Sequence, residues 1–404
     1  MTGNVEIPAA DMQAPVTTDF LLGQIALDLY RMADEQPPVL PLAMPVIAAP
    51  EIVTAVLRDE GSFNKEYQFL EMLAQGRFSA NGSDWRRRVP LTQPSYRTGA
   101  DVVSEAEIEA VYAASLQRRR TSMGPTLFQC FLDAAVAVMA RAFGLSAPLP
   151  WPAESVADAR ANLLVPLCYS LCGHASRSSA DICHSLAGFF SEIESLWMAT
   201  PEVRGLLEDL RRRAVGIEGF NPVGELIQNV MAASETTASA LLWAVEAGAR
   251  FEAEPAAAAP FDLDRFLDEV LRVFPPIPLV IRRCAHDTTV AGMRFEADHV
   301  FAISFVGMHC HRSYWSEPLR FDAGRPEWNQ PAASRPAFQP FSTGPRLCGG
   351  ARLAHAELRA GLRAFRRLFR VEPLKAPLAI QYGLTSRPTE RIDQFVHPAD
   401  SPPA

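Results

Sequence analysis

The longest regular pattern in the chain begins at Asn221-Pro222. Apolar residues then recur at helical spacing, at Val223, Leu226, Ile227, Val230, Met231, Leu241, Leu242 and Val245. This spacing predicts one helix of about thirty residues, roughly 45 Å long at 1.5 Å per residue. Asn221 suits its N-cap and Pro222 its first turn. One turn breaks the apolar run, Ser234-Glu235-Thr236-Thr237. Hydroxyls in mid-helix compete for backbone hydrogen bonds, so this turn asks for a reason. Helical periodicity also runs over residues 21–33, 51–59, 106–145, 153–213, 262–274 and 351–370. Residues 37–50 are broken by prolines and suit edge strands at Val39-Leu40 and Pro45-Val46-Ile47. Pro275-Pro276 ends the helix before it, and Val280-Ile-Arg282-Arg283-Cys-Ala reads as a strand. Further strands are expected at 288–290, 293–295 and 300–306, with three short ones after Val371. Many helices and few strands predict a mainly α fold with a minor β-sheet region. Residues 1–20 read as a flexible arm and 21–404 as a single domain without repeats.

Composition narrows the function. The chain has 404 residues, 48% of them hydrophobic, enough for a core that encloses a cofactor. A net charge of −8 argues against nucleic acid as a partner. Lys65 and Lys375 are the only lysines, so nearly all positive charge is arginine. Seven cysteines without regular spacing point to a reducing compartment. Cys168-x-x-x-Cys172 and His309-Cys310-His311 lack a second ligand pair at zinc-like spacing, and His174 and His184 carry no ligand pattern. No signal peptide or membrane anchor is expected. Glu6, Asp11 and Asp19 interrupt the N-terminus, and Asp133 and Arg141 interrupt 127–145, the most apolar stretch.

The candidate chemistry lies at Phe341-Ser-Thr-Gly344-Pro-Arg346-Leu-Cys348-Gly-Gly350, just ahead of an amphipathic helix. A cysteine so framed suits axial ligation of haem iron by a thiolate. Gly344 permits a sharp turn, and Gly350 lets the next helix approach a flat macrocycle. Cys348 at that helix's start meets free N–H groups and a dipole that favour an anionic sulfur. The same groups tune a bound iron. Arg346 can pair with a propionate, and Phe341 can shield the sulfur.

This segment resembles the haem-binding loop of cytochromes P450. The resemblance extends over roughly 221–357 and, more weakly, 45–96. Ala232-Ala233-Ser234-Glu235-Thr236 is similar to the family's oxygen-activation motif, with Ala233 where the family has glycine. Glu269-Val-Leu-Arg272 looks like its buried Glu-x-x-Arg, with Arg325 as the locking arginine. Residues 84–96 resemble its C helix. There Trp85 is a candidate haem contact, but Val89 stands where the family has a propionate arginine, and Arg88 or Arg86 is the available substitute. Arg282 matches a second propionate arginine. Arg283, its neighbour on the strand, must face the other way.

The resemblance implies haem b (iron protoporphyrin IX) with Cys348 as its one protein ligand to iron, and Glu235 and Thr236 relaying protons during O2 activation. It implies an apolar, medium-sized substrate bounded by Val230, Ala233, Ile277, Leu279, Val280, Gly383, Leu384 and Thr385. It implies electrons from a ferredoxin or flavodoxin-type partner with an NAD(P)H-dependent reductase. Arg352, Arg359, Arg363, Arg366 and Arg370 share one helix face and are the expected docking stripe. The expected setting is that of a soluble, bacterial-type, cytoplasmic monomer. The rival expectations are a haem-thiolate peroxygenase or isomerase, and a non-enzymatic haem-binding protein.

Overall fold

The structure is a computed structural model that describes residues 2–4, 39–41, 45–66, 76–120, 124–151, 179–251, 262–382 and 385–400. The side chains of residues 2–4, 39–41, 94, 96, 97, 179–186, 381 and 382 are excepted. Residues 21–33, Cys168, Cys172, His174, Gly383 and Leu384 lie outside the described residues, as does the side chain of His184.

Ten helices are present among the described residues: α1 (Pro50–Arg58), α2 (Gly82–Val102), α3 (Glu105–Gln117), α4 (Leu127–Ala142), α5 (Ser179–Ala199), α6 (Pro201–Arg213), α7 (Pro222–Phe251), α8 (Leu263–Val273), α9 (Phe305–His309) and α10 (Ala351–Leu368). The axis of the molecule is α7. Its start is fixed as its sequence predicts: Asn221 Oδ1 accepts from the N–H groups of Val223 and Gly224 at 3.0 and 3.2 Å. Its apolar residues pack on α4 and α10 in one core. On α10 the stripe Leu358, Leu362 and Phe365 is buried, and each such side chain contributes roughly 1.5–3 kcal/mol. Gly361 lets α10 close on its neighbours, because a Cβ there would lie 2.9 Å from Leu241 and 3.0 Å from Tyr112.

The principal sheet has strand order β2-β3-β8-β5-β4, formed by β2 (Val39–Pro41), β3 (Pro45–Ile47), β4 (Phe63–Lys65), β5 (Leu279–Cys284) and β8 (Val300–Ser304). β3 runs parallel to β8, and β5 lies antiparallel to both β8 and β4. β6 (Thr288–Val290) and β7 (Met293–Phe295) form the hairpin expected around Ala291-Gly292. Short pairs complete the β content. β1 (Thr2–Asn4) lies on β9 (Arg320–Asp322), β10 (Phe369–Val371) on β13 (Val396–Pro398), and β11 (Ile380–Tyr382) on β12 (Ser386–Pro388).

Several boundaries differ from expectation, each for a local reason. The helical stretch 106–145 divides into α3 and α4, because Ser104 and Thr126 each cap a new N-terminus by accepting from Glu107 N and Gln129 N. The strand from Val300 stops at Ser304, whose hydroxyl accepts from Gly307 N and starts α9. Helix α10 ends at Leu368 because Phe369 enters β10. Part of the expected N-terminal arm, Thr2–Asn4, is held as an edge strand.

Candidate functional site

The loop before α10 is closed by Cys348 N–H donating to Phe341 O at 3.0 Å and Leu347 N–H to Gly344 O at 3.1 Å. Gly344 has φ +74°, and a Cβ there would stand 2.6 Å from Leu57 O, so only glycine fits. Gly350 caps α10, and its N–H is directed to the Cys348 sulfur. Phe341 packs on His355 with ring centroids 4.8 Å apart. Cys348 can be reached by solvent, yet protein surrounds it on most sides. Burial raises its thiol pKa, and the Gly350 N–H, Arg77 and Lys65 offset this only partly. The Gly350 N–H therefore acts on the sulfur in the expected direction, against the desolvation.

Cations gather around Cys348. The Arg346 guanidinium lies 4.1 Å above the Trp85 ring. Its Nη2 donates to Ala80 O and Asn81 Oδ1 at 2.9 and 3.3 Å, while its buried Nη1 has no partner. Burial pushes its pKa down to about 10, with Arg282 and Arg77 adding repulsion and Glu60 opposing. Arg282 is 5% exposed. Arg283, on the opposite face of β5, pairs with Glu66 at 2.8 Å, the alternation expected of a strand. Lys65 is the Cα partner of Arg282 across β4 and β5, and its ammonium lies 3.9 Å above the Phe78 ring. Arg77 is held by Asn229 at 3.1 Å and by Glu225 at 3.5 Å. Sequence reasoning missed Lys65 and Arg77. The available signal was that Lys65 is one of two lysines in the chain. Arg88 is buried but donates to Gly76 O and Glu218 O, so it braces loops. Arg86 is largely exposed and pairs with Glu60.

Facing this region, α7 is buried along most of its length but open at Met231, Ala232, Ala233 and Thr236. Asn229, which holds Arg77, stands four and seven residues before Ala233 and Thr236, on one helix face. The Thr236 hydroxyl donates to Ala232 O at 2.7 Å, which leaves its lone pairs for another donor. Glu235 points elsewhere. It is 3% exposed, accepts from Thr385 Oγ1 at 3.2 Å and lies 3.9 Å from Arg387. Thr385 also bonds Ser239 at 2.8 Å. Two expected pocket residues are therefore corrected. Thr385 packs against Glu235 and Ser239, and Val230 is fully buried in the core, because the residue after Asn229 is rotated about 100° away from that face. Ile277, Leu279 and Val280 are half-buried, and Leu384 lies outside the described residues.

Glu269 and Arg272 are both fully buried and pair through two bonds of 2.8 Å. Arg325 reaches the same carboxylate at 3.1 Å. The expected docking stripe is corrected. Arg352 pairs with Asp101 at 2.6 Å, Arg359 with Glu105 at 3.1 Å, and Arg363 with Glu105 and Glu109. Arg366 lies over the Phe266 ring, and Arg370 belongs to β10. Glu105 and Glu109 are four residues apart on α3, which runs beside α10, so they neutralise the stripe from within. Nearer the loop, Leu347 is 50% exposed, and Arg58, Arg86 and Arg87 are exposed, with Arg86 beside Glu60 and Arg87 beside Asp84.

Two features define what fits: a reachable thiol, and four cations, Arg346, Arg282, Lys65 and Arg77, gathered near it. A planar iron macrocycle bearing two carboxylates matches both. His309, which motif reading weighed for zinc, is instead buried, and burial pushes its pKa down to about 3. As a neutral ring it accepts from Gln339 N at 3.2 Å. Among the described residues no group of three or more His, Cys, Asp or Glu is placed to hold a metal ion, and no helix is long and apolar enough to cross a membrane.

Comparison with known proteins agrees. The cytochrome P450 family model matches residues 262–392. Cytochrome P450 monooxygenase 124 of Postia placenta is 33% identical over 27% of this chain and 22% of its own length. Human cytochrome P450 4F8 is 38% identical over 28% of this chain and 22% of its own. The matched segment thus spans about a fifth of these relatives. Likeness of fold extends further. A six-coordinated cytochrome P450 from Thermus thermophilus aligns at TM-score 0.69 and 22% identity over 90% of this chain and 95% of its own. A mutant of P450 EryK in complex with erythromycin B aligns at 0.68 and 21% over 91% and 96%.

Proposed function

We propose that this chain, which has the cytochrome P450 fold and carries the family's haem-binding segment, is a haem-thiolate monooxygenase. The observation that carries the reading is the Cys348 sulfur, reachable at the end of a glycine-shaped loop, with buried cations around it and the opened turn of α7 on Arg77's far side. The fold implies haem b. Cys348 would be its iron ligand, and Arg346, Arg282 and Trp85 would bind its propionate edge. When bound, the group supplies dioxygen activation, and thiolate donation favours O–O cleavage.

The chain's own residues orient, shield and deliver protons. Gly350 N–H donates to the sulfur and limits its basicity. Phe341, packed against His355 with the rings tilted, keeps water from that side. Ala233 forms the floor beside the opened turn. Thr236 offers a hydroxyl that can accept from a water and pass a proton on. Glu235 acts from behind. Buried against Thr385 and Arg387, it is a proton reservoir and not a direct donor.

Ile277, Leu279 and Val280 support an apolar, medium-sized substrate held mainly by shape, in secondary metabolism or catabolism. Electrons would come from a ferredoxin or flavodoxin-type protein fed by an NAD(P)H-dependent reductase. It would dock on the Cys348 side, where Leu347, Arg58, Arg86 and Arg87 are exposed. We place the protein in the cytoplasm of a bacterium, as a monomer. The test is product analysis with a reconstituted electron supply and labelled dioxygen. One labelled oxygen atom in the product supports the reading. Substrate conversion without oxygen incorporation would favour the isomerase alternative.

A further inference from the structure

Lys65 occupies a position that the sheet alone does not favour. It stands directly opposite Arg282 across β4 and β5, and like charges so opposed destabilise a strand pair. Asn81 fixes it there: its Oδ1 accepts from Lys65 N at 2.8 Å and its Nδ2 donates to Lys65 O at 3.0 Å. The same Oδ1 accepts from Arg346 at 3.3 Å, so one asparagine ties the lysine's strand to the guanidinium that leads to Cys348. Arg77 is the fourth cation of the cluster, acting on both Lys65 and Arg346.

The carboxylates nearby are already shared. Glu60 stands 4.0 Å from Arg346 and 3.6 Å from Arg86. Glu225 accepts from Asn229 and Thr92 while it holds Arg77. Glu66, next to Lys65, faces Arg283 on the other side of the sheet. Burial and three arginines hold the Lys65 ammonium well below the usual lysine range. Charge so arranged costs stability unless an anion enters.

We propose that Lys65, supported by Arg77, is a haem-propionate ligand that takes over the anchoring role left open by Val89. The inference rests on the haem reading above. The anchor has moved from the middle of α2 to the edge strand β4, and Asn81, at the start of α2, joins the two.

The test uses the full chain as wild type, Lys65→Met and Lys65→Arg. Each is first checked for the thiolate-type spectrum of its reduced carbon monoxide complex, then for the rate of haem loss to excess apomyoglobin. Removing one charge-assisted bond should speed loss roughly tenfold to a hundredfold in Lys65→Met. Lys65→Arg should recover most of the difference, and the salt dependence of the loss rate should weaken in Lys65→Met. Thermal unfolding of the haem-free proteins separates this from a packing role. Relief of repulsion should leave haem-free Lys65→Met at least as stable as wild type. Wild-type haem retention in Lys65→Met, or a haem-free variant destabilised as much as the loaded one, would overturn the propionate role alone. A wild type that binds no haem would overturn this inference and the haem reading together.

Discussion

Arg325 offers the sharpest link between the buried ion network and the site. Its side chain is nearly fully buried and makes four polar contacts within 3.2 Å: with Glu269 through Nε at 3.2 Å and Nη2 at 3.1 Å, with Ser316 O at 2.8 Å, and with Arg320 O at 2.6 Å. Arg325→Met keeps much of the volume and removes the charge. Glu269 keeps Arg272 and the Asp322 N–H, so its ionised form is still partly satisfied, but Ser316 O loses its donor. Breaking a buried pair from one side costs about 3–5 kcal/mol, a large share of a typical ~5–15 kcal/mol stability. The damage should travel. Arg272 and Arg325 both lie over the Trp315 ring, Trp315 packs on Trp328 and Phe338, and Phe338 packs on His309. His309 holds Gln339 N, and Gln339 O accepts from Ser342 N inside the cysteine loop. Denaturant unfolding of haem-loaded protein should show the loss, and haem retention should fall with it. Arg325→Lys should recover only part, because one ammonium cannot serve three acceptors in the geometry of a guanidinium fork. A loss below about 1 kcal/mol, the range of an exposed pair, would refute the reasoning.

Three further outcomes are expected. Thr236→Ala should bind haem and substrate normally but divert most consumed oxygen to peroxide. Thr237→Ala, buried on another face, should change coupling little; equal coupling in Thr236→Ala and wild type would remove that hydroxyl from the mechanism. Charge reversal at Arg86 and Arg87 should slow reduction by an acidic partner, with an effect that shrinks as salt rises. Reversal at Arg359 and Arg363 should mainly weaken the α10–α3 contact, so reduction slowed equally by both pairs would contradict the placement. Burial raises the Glu246 carboxyl pKa to about 7, with Arg250 opposing. A folded value above the unfolded one means the native state holds the extra proton. Stability from this group is therefore full below about 4.5 and lost as pH rises toward 7, by up to ~3 kcal/mol. Glu246→Gln should flatten that slope in pH-dependent unfolding.

Much of this was legible in local sequence because local chemistry decides it. Asn221-Pro222 starts α7 where capping rules place it. Gly344 sits at a positive φ of +74°, the conformation that a sharp turn there asks of glycine. The Glu269–Arg272–Arg325 network follows from the spacing that the resemblance supplied. What was illegible depends on neighbours distant in sequence. The arginines of α10 look like a docking face until α3 supplies Glu105 and Glu109. Thr385 looks like a pocket residue until Glu235 turns toward it. Lys65 gained its meaning only when the pairing of β4 with β5 set it opposite Arg282, and no single-chain periodicity encodes that register.

The measurement that bears most directly on the account is the absorption spectrum of the reduced carbon monoxide complex, for wild type and Cys348→Ala reconstituted with haem b. The account predicts the red-shifted Soret band of thiolate ligation in wild type and its loss in Cys348→Ala. The same band in both proteins, or no haem uptake by the wild type, would contradict it.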